Sequence, residues 1–172
     1  MTGFFRTLSA GMLAIAAVAC GPTEQGVTTA QKNDPVIVLN EGPCEATCPV
    51  YAMTLHPDGS YRLQGEKFVR STGVFEGLLD EDAWLRAVQA LETISFWTQP
   101  PDQTRSSLPS CQEGPPVVSM TWRTAEGRQK TLTYRVGCGD AKIRAAVSEL
   151  RSAMSFHELV WADDRFSPDG SR

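Results

Sequence analysis

The sequence predicts an α+β domain: an antiparallel sheet built from β-hairpins, with two helices packed on one face, in the order ββββ-α-ββ-α. Three observations predict it. Val50 to Gly65 and Val118 to Val136 each alternate apolar with polar residues and fold back across turn-forming residues. Each of these hairpins is followed by a stretch with apolar residues at helical spacing. About 150 residues follow an apolar leader, the size of one domain able to bury its own core.

Taken in order, Pro35 to Asn40 is a β-branched run that reads as a first strand. In the first hairpin Tyr51, Met53 and Leu55 share one face, Pro57-Asp58-Gly59-Ser60 supplies the turn, and Tyr61 and Leu63 resume the apolar face. Phe68 to Phe75 reads as a further strand interrupted by Gly73. A helix follows with Asp80 as N-cap and Glu81 and Asp82 in its first turn, where the helix dipole favours negative charge. Its apolar face is Trp84, Val88, Leu91 and Ile94, with Ala87 and Phe96 beside it, and Pro100 and Pro101 prevent continuation.

The stretch from Thr98 to Pro116 reads as a long irregular loop containing five prolines. In the second hairpin Val118, Met120 and Trp122 alternate with Ser119, Thr121 and Arg123. Ala125-Glu126-Gly127 makes the turn, and Leu132, Tyr134 and Val136 return on one face. Asp140 is placed to cap a last helix whose stripe is Ile143, Val147, Leu150 and Met154, with Ala146 in its width. Trp161 is expected to close the domain. Two sheet-then-helix units suggest both helices on one sheet face, although the halves are too dissimilar to count as a repeat.

The N-terminus sets the expected compartment. Residues 1–19 place one positive charge, Arg6, ahead of an uncharged apolar run from Leu8 to Ala19. That is the pattern of a secretory signal peptide, and the run is short for a bilayer span. Ala17-Val18-Ala19 leads directly into Cys20 and Gly21, which resembles the lipobox of bacterial lipoproteins. Cleavage before Cys20 would leave it as the lipidated first residue. Several acyl chains of the palmitate type, at about 0.8 kcal/mol per buried CH₂, would hold it in a membrane. Ordinary secretion, with Cys20 a bystander, is the alternative. By analogy with Gram-negative sorting, Gly21 favours the outer membrane, with the domain facing the periplasm. The expected organisation is a signal peptide over 1–19, a flexible polar tether over 20–34, a domain over 35–161 and a polar tail over 162–172.

Charge narrows the partners. The chain has 16 Lys and Arg against 20 Asp and Glu; removing Arg6 with the leader leaves 15 against 20, a net charge of −5. Without a basic run there is no footprint for a phosphate backbone, and nucleic acid is not an expected partner. The expected contacts are the membrane, through the lipid anchor, and an envelope protein.

Four cysteines follow Cys20, namely Cys44, Cys48, Cys111 and Cys138, an even number in an exported chain. Of three connectivities, Cys44–Cys48 and Cys111–Cys138 is preferred. Cys111 and Cys138 flank the second hairpin, whose turn brings its ends together. A crossed pairing stays open. So does zinc at Cys44-Glu45-Ala46-Thr47-Cys48, although no neighbouring Cys or His completes a tetrahedron there and only His56 and His157 exist in the chain.

The segment Gly42 to Val69 (GPCEATCPVYAMTLHPDGSYRLQGEKFV) resembles domain-of-unknown-function family 6438, found in bacterial and often exported proteins. Cys44, Cys48, Pro49, Tyr51, Asp58, Gly59 and Gly65 occupy the places of that family's pattern. The resemblance extends over residues 36–161. It weakens where the family tends to place Asp-x-Pro before the second hairpin and Gly-x-Pro after it. Here those places hold Cys111-Gln112-Glu113 and Gly137-Cys138-Gly139, a change consistent with a local disulfide. The family implies no reaction, cofactor or catalytic residue.

No G-x-S-x-G, G-x-G-x-x-G, P-loop or H-E-x-x-H pattern is present. His56 reads as a turn residue, His157 and Glu158 as neighbours that rarely share a helix face, and Asp80/Asp82 and Asp163/Asp164 as helix-start and tail charges. The expectation is therefore a non-catalytic binding or interaction module without a cofactor, with a structural envelope component or an enzyme as alternatives. The expected surface comprises the 98–116 loop, the 44–48 turn and whichever of Trp97, Trp122 and Trp161 is exposed.

Overall fold

The computed structural model describes residues 34–105, 111, 113–138 and 141–161. Residues 1–33 (the leader, Cys20 and nearly all of the tether), the expected cap Asp140 and the tail 162–172 lie outside the described residues.

The domain is α+β, with a seven-stranded, mostly antiparallel sheet. The strands are β1 (Val36–Glu41), β2 (Val50–Leu55), β3 (Ser60–Lys67), β4 (Gly73–Leu78), β5 (Asp102–Gln103), β6 (Val117–Arg123) and β7 (Gln129–Arg135). Their order across the sheet is β4-β3-β2-β1-β6-β7-β5. The helices are α1 (Ala83–Thr93), α2 (Ala141–Ala153) and α3 (Phe156–Leu159), and a 3-10 turn spans Phe96–Thr98. β1 joins the two hairpins, pairing Ile37 with Leu55 on one side and with Trp122 on the other. Only β5 is parallel to its neighbour.

Alternation decides the faces. Ile37, Leu39, Met53, Leu55, Leu63, Val118, Met120, Trp122, Leu132 and Tyr134 point to one side and are buried in a single cluster with Ala87, Leu91, Ile94, Ile143, Val147 and Leu150 of the helices. Residues of the opposite parity, such as Ser119, Thr121 and Arg123 on β6, stay partly exposed. There the Thr121 and Thr131 hydroxyls share a 2.8 Å hydrogen bond across β6 and β7.

Several expectations are corrected. The strand expected over Phe68 to Phe75 starts only at Gly73 and runs to Leu78, because Phe68 lies at φ 52°, a left-handed conformation that breaks extended pairing. The first helix begins at Ala83 rather than after Asp80. Asp80 closes a turn of its own, its carboxylate accepting the Asp82 N–H at 3.2 Å and binding Arg86 at 2.7 Å, so Glu81 and Asp82 precede the helix. Trp84 and Val88 are only half-buried, and the small residues Ala83, Ala87 and Ala90 with Leu91 form the inner face of α1. Within the stretch read as irregular, Asp102–Gln103 adds an edge strand along β7, and Thr133 donates to the Pro101 carbonyl at 2.8 Å. The last helix keeps the expected stripe, with Ile143, Ala146, Val147, Leu150 and Met154 buried, and a short additional helix, α3, follows Ser155, which takes φ 51°.

Candidate functional site

One end of the sheet gathers most of the unusual chemistry. Cys44 is bonded to Cys48, and Cys111 to Cys138. The loop between β1 and β2 is held to the segment before β6 by Gly42 N–H to the Val117 carbonyl at 2.9 Å and Glu45 N–H to the Gly114 carbonyl at 3.0 Å. With their sulfurs bonded to each other, Cys44 and Cys48 are not thiolate donors for a metal.

Glu41, the last residue of β1, has the inward parity of Ile37 and Leu39 and is 3% exposed. A buried carboxylate needs partners. The Tyr51 hydroxyl, from the directly opposite residue of β2, donates to Glu41 Oε1 at 3.1 Å. Arg151, in the last turn of α2, donates from Nε to the same oxygen at 2.5 Å, and its Nη2 completes the ion pair. Burial pushes the Glu41 carboxyl above its ordinary range even though Arg151 and the Tyr51 hydroxyl pull it down. Burial, reinforced by the Glu41 charge, lifts the Tyr51 phenol well above its ordinary value.

Arg151 also lies over the Phe156 ring at 5.3 Å, and that ring contacts Tyr51 at 5.4 Å and Trp161 at 5.8 Å. Outside this stack opens a cleft of about 320 Å³ lined by Arg151, Ser152, Phe156, His157 and Glu158. His157 and Glu158, read from the sequence as unrelated neighbours, thus line one opening, because α3 is a single short turn set against the end of α2.

A second feature lies at the β4 edge. Among the described residues β4 pairs only with β3, so its outer backbone groups face away from the sheet they form. Val74, Phe75 and Leu78 are exposed at 49%, 39% and 75%, with Phe68 and Leu85 also among the exposed large apolar residues. Among the described residues the opposite edge, where β5 pairs with Thr133 and Tyr134 of β7, carries no exposed large apolar side chain.

The expected tryptophan surface is not formed. Trp122 and Trp161 are buried, and Trp97 is half-buried, 5.0 Å from the Trp122 ring and covered by Arg128 at 4.0 Å. Each indole has more apolar area to bury than an isolated surface site allows. His56 remains in the first hairpin turn, bonded through its backbone to Ser60 and Gly59. Asp80 pairs with Arg86, while Asp163 and Asp164 lie outside the described residues. Residues 106–110 and Gln112 of the expected loop surface lie outside them too.

Sequence reasoning missed Glu41, Arg151 and the β4 edge. Two signals were available: Glu41 continues the inward parity of Ile37 and Leu39, and Arg151 falls four residues after Val147 on the apolar stripe of α2. The edge carried no comparable signal, since strand order is not written in any local pattern.

Among known proteins, a family model described as Domain of unknown function (DUF6438) matches residues 35–154, ending before α3 rather than at residue 161. No curated protein matches the chain. The matched region contains β1 through α2, including Glu41, Tyr51, Arg151 and both disulfides. The chain therefore belongs to the family described as Domain of unknown function (DUF6438).

Proposed function

We propose that this protein is a bacterial envelope lipoprotein, anchored through acylated Cys20 and facing the periplasm, whose domain is a non-catalytic interaction module. Both long helices cover one face of the sheet, which leaves the β4 edge accessible to a protein partner. The observation that carries this reading is the display of Val74, Phe75 and Leu78 along a strand that has no outer neighbour among the described residues. Exposed apolar clusters on a soluble domain mark interaction sites, and an open strand adds backbone hydrogen bonding to a partner's strand. The two disulfides suit an oxidising compartment.

Co-purification from detergent-solubilised envelopes tests it. Wild-type chain should retain envelope proteins that a Val74→Asp/Leu78→Asp variant loses while keeping its circular-dichroism spectrum. An identical set of co-purified proteins would remove the reading.

A small-ligand or catalytic role is the second reading, favoured by the convergence of Ser152, His157 and Glu158 beside Arg151. It predicts that some member of a panel of small metabolites raises the melting temperature, and that His157→Ala cancels the rise. A panel without effect counts against it.

A further inference from the structure

We infer that the cleft between the ends of α2 and α3 binds a small zwitterion of the α-amino acid class, its carboxylate on Arg151 and its ammonium on Glu158. This deepens the small-ligand reading above and rests on it.

Arg151 is fixed before any ligand arrives. Glu41 Oε1 accepts from its Nε, its Nη2 completes the ion pair, and the Phe156 ring lies 5.3 Å from the guanidinium. The side chain nevertheless keeps 26% of its surface exposed and lines the cleft. A guanidinium has more N–H donors than Glu41 takes from it, so donors remain for a ligand. A buried ion pair adds little stability beyond what an apolar pair of the same volume would. What this pair does secure is a rigid fork, of the shape that takes a carboxylate, held at the rim of an opening.

Charge decides which carboxylate fits. Glu41 offsets Arg151, whereas Glu158, also on the lining, enters none of the ion pairs formed among the described residues. A phosphate or a dicarboxylate would bring a second negative charge toward Glu158, which is unfavourable. A molecule with an ammonium beside its carboxylate satisfies both. The juxtaposition comes from Ser155, whose φ of 51° turns α3 against the end of α2. His157 and Glu158 thereby reach the opening that Arg151 and Ser152 line. The Ser152 hydroxyl and the His157 imidazole, both on exposed residues, add groups that donate or accept.

Size sets the rest. About 320 Å³ lies at the low end for small-molecule pockets, which suits an amino acid better than a nucleotide or a long peptide. Phe156 gives the cleft an apolar wall against which an apolar or aromatic side chain can lie.

Calorimetric titration of the intact protein in detergent, with each standard L-amino acid in turn, tests the assignment. At least one should bind with a millimolar Kd or tighter. Its analogues lacking the ammonium or the carboxylate should bind at least about tenfold more weakly. Arg151 is kept in these experiments, because its loss uncovers buried Glu41. Glu158→Gln, at an exposed position, should weaken the amino acid about tenfold and leave the deaminated analogue unchanged. Binding of no amino acid, equal binding of the truncated analogues, or an equal effect of Glu158→Gln on both ligands overturns the inference. If it is overturned while another metabolite still raises the melting temperature in a His157-dependent way, only the ligand class falls. If no metabolite does so, the small-ligand reading falls with it.

Discussion

With Arg151 truncated, Glu41 becomes a carboxylate enclosed by strands and helix with only the Tyr51 hydroxyl left to bind it. Removing one member of a buried pair costs about 3–5 kcal/mol, more than an exposed pair would. Arg151→Met should therefore lower unfolding free energy by about that amount at pH 7, measured by denaturant titration, and by less at pH 4, where protonation discharges Glu41. The wild type has a pH signature of its own. Its Glu41 value is raised in the folded state, so the contribution to stability is present below the ordinary value near 4.5 and is lost as pH rises through the raised value. Across that window wild type should lose stability relative to Glu41→Gln, which carries no titrating group at the position. Parallel pH curves for the two proteins would contradict the assignment. Tyr51 was read from the sequence as one more apolar strand residue. Its hydroxyl acquires a role only when β1 and β2 pair in the observed register.

Hairpins and helices were readable because each is a local pattern with a local cause: alternation, turn residues, and apolar spacing close to 3.6. Their ends were less readable. Both long helices finish in a serine with positive φ, Ser95 and Ser155, each followed by a phenylalanine that turns inward, Phe96 onto Trp122 and Phe156 onto Tyr51. Glycine is the usual residue at such a stop, so the serines gave no warning. Gly65 carries the opposite lesson. An added methyl there would come within 2.4 Å of the Ser71 carbonyl oxygen and 2.9 Å of Val69, so the β3–β4 loop must shift to admit it. Gly65→Ala should cost about 1–3 kcal/mol, detectable as a lowered denaturation midpoint with unchanged slope. The two bridges should also differ. With 27 residues of sequence separation, Cys111–Cys138 constrains the unfolded chain by about 3–4 kcal/mol, whereas Cys44–Cys48, with a separation of 4, contributes about 2 kcal/mol. Paired serine substitutions at each bridge should rank in that order in thermal unfolding. The reverse order would mean that strain or residual structure, not loop length, controls them.

At the scale of the whole molecule, the sheet divides into a stapled end and an open edge. The stapled end joins both disulfides, the Glu41–Tyr51–Arg151 network and the Phe156–Trp161 stack, and Arg70 ties the β3–β4 loop to it through the Val160 and Trp161 carbonyls at 2.8 and 3.2 Å. No helix among the described residues is long and apolar enough to cross a membrane. Membrane residence under the proposed function then depends on Cys20. Cys20→Ser should move the protein from the membrane to the soluble fraction after cell breakage, and intact mass should show the wild type beginning at residue 20 with added acyl chains. Unchanged membrane retention would place the anchor elsewhere.

The sequence by itself determined what depends on neighbouring residues: the two hairpins, the existence of two helical units, the parity of the core and the family pattern around Cys44 and Cys48. Only the tertiary structure decided which strands lie side by side, that Glu41 and Arg151, 110 residues apart, neutralise each other, and that β4 is left at an edge. Periodicity fixes the direction in which a side chain points. What it meets there depends on how distant segments are closed into one sheet, and local pattern carries no record of that.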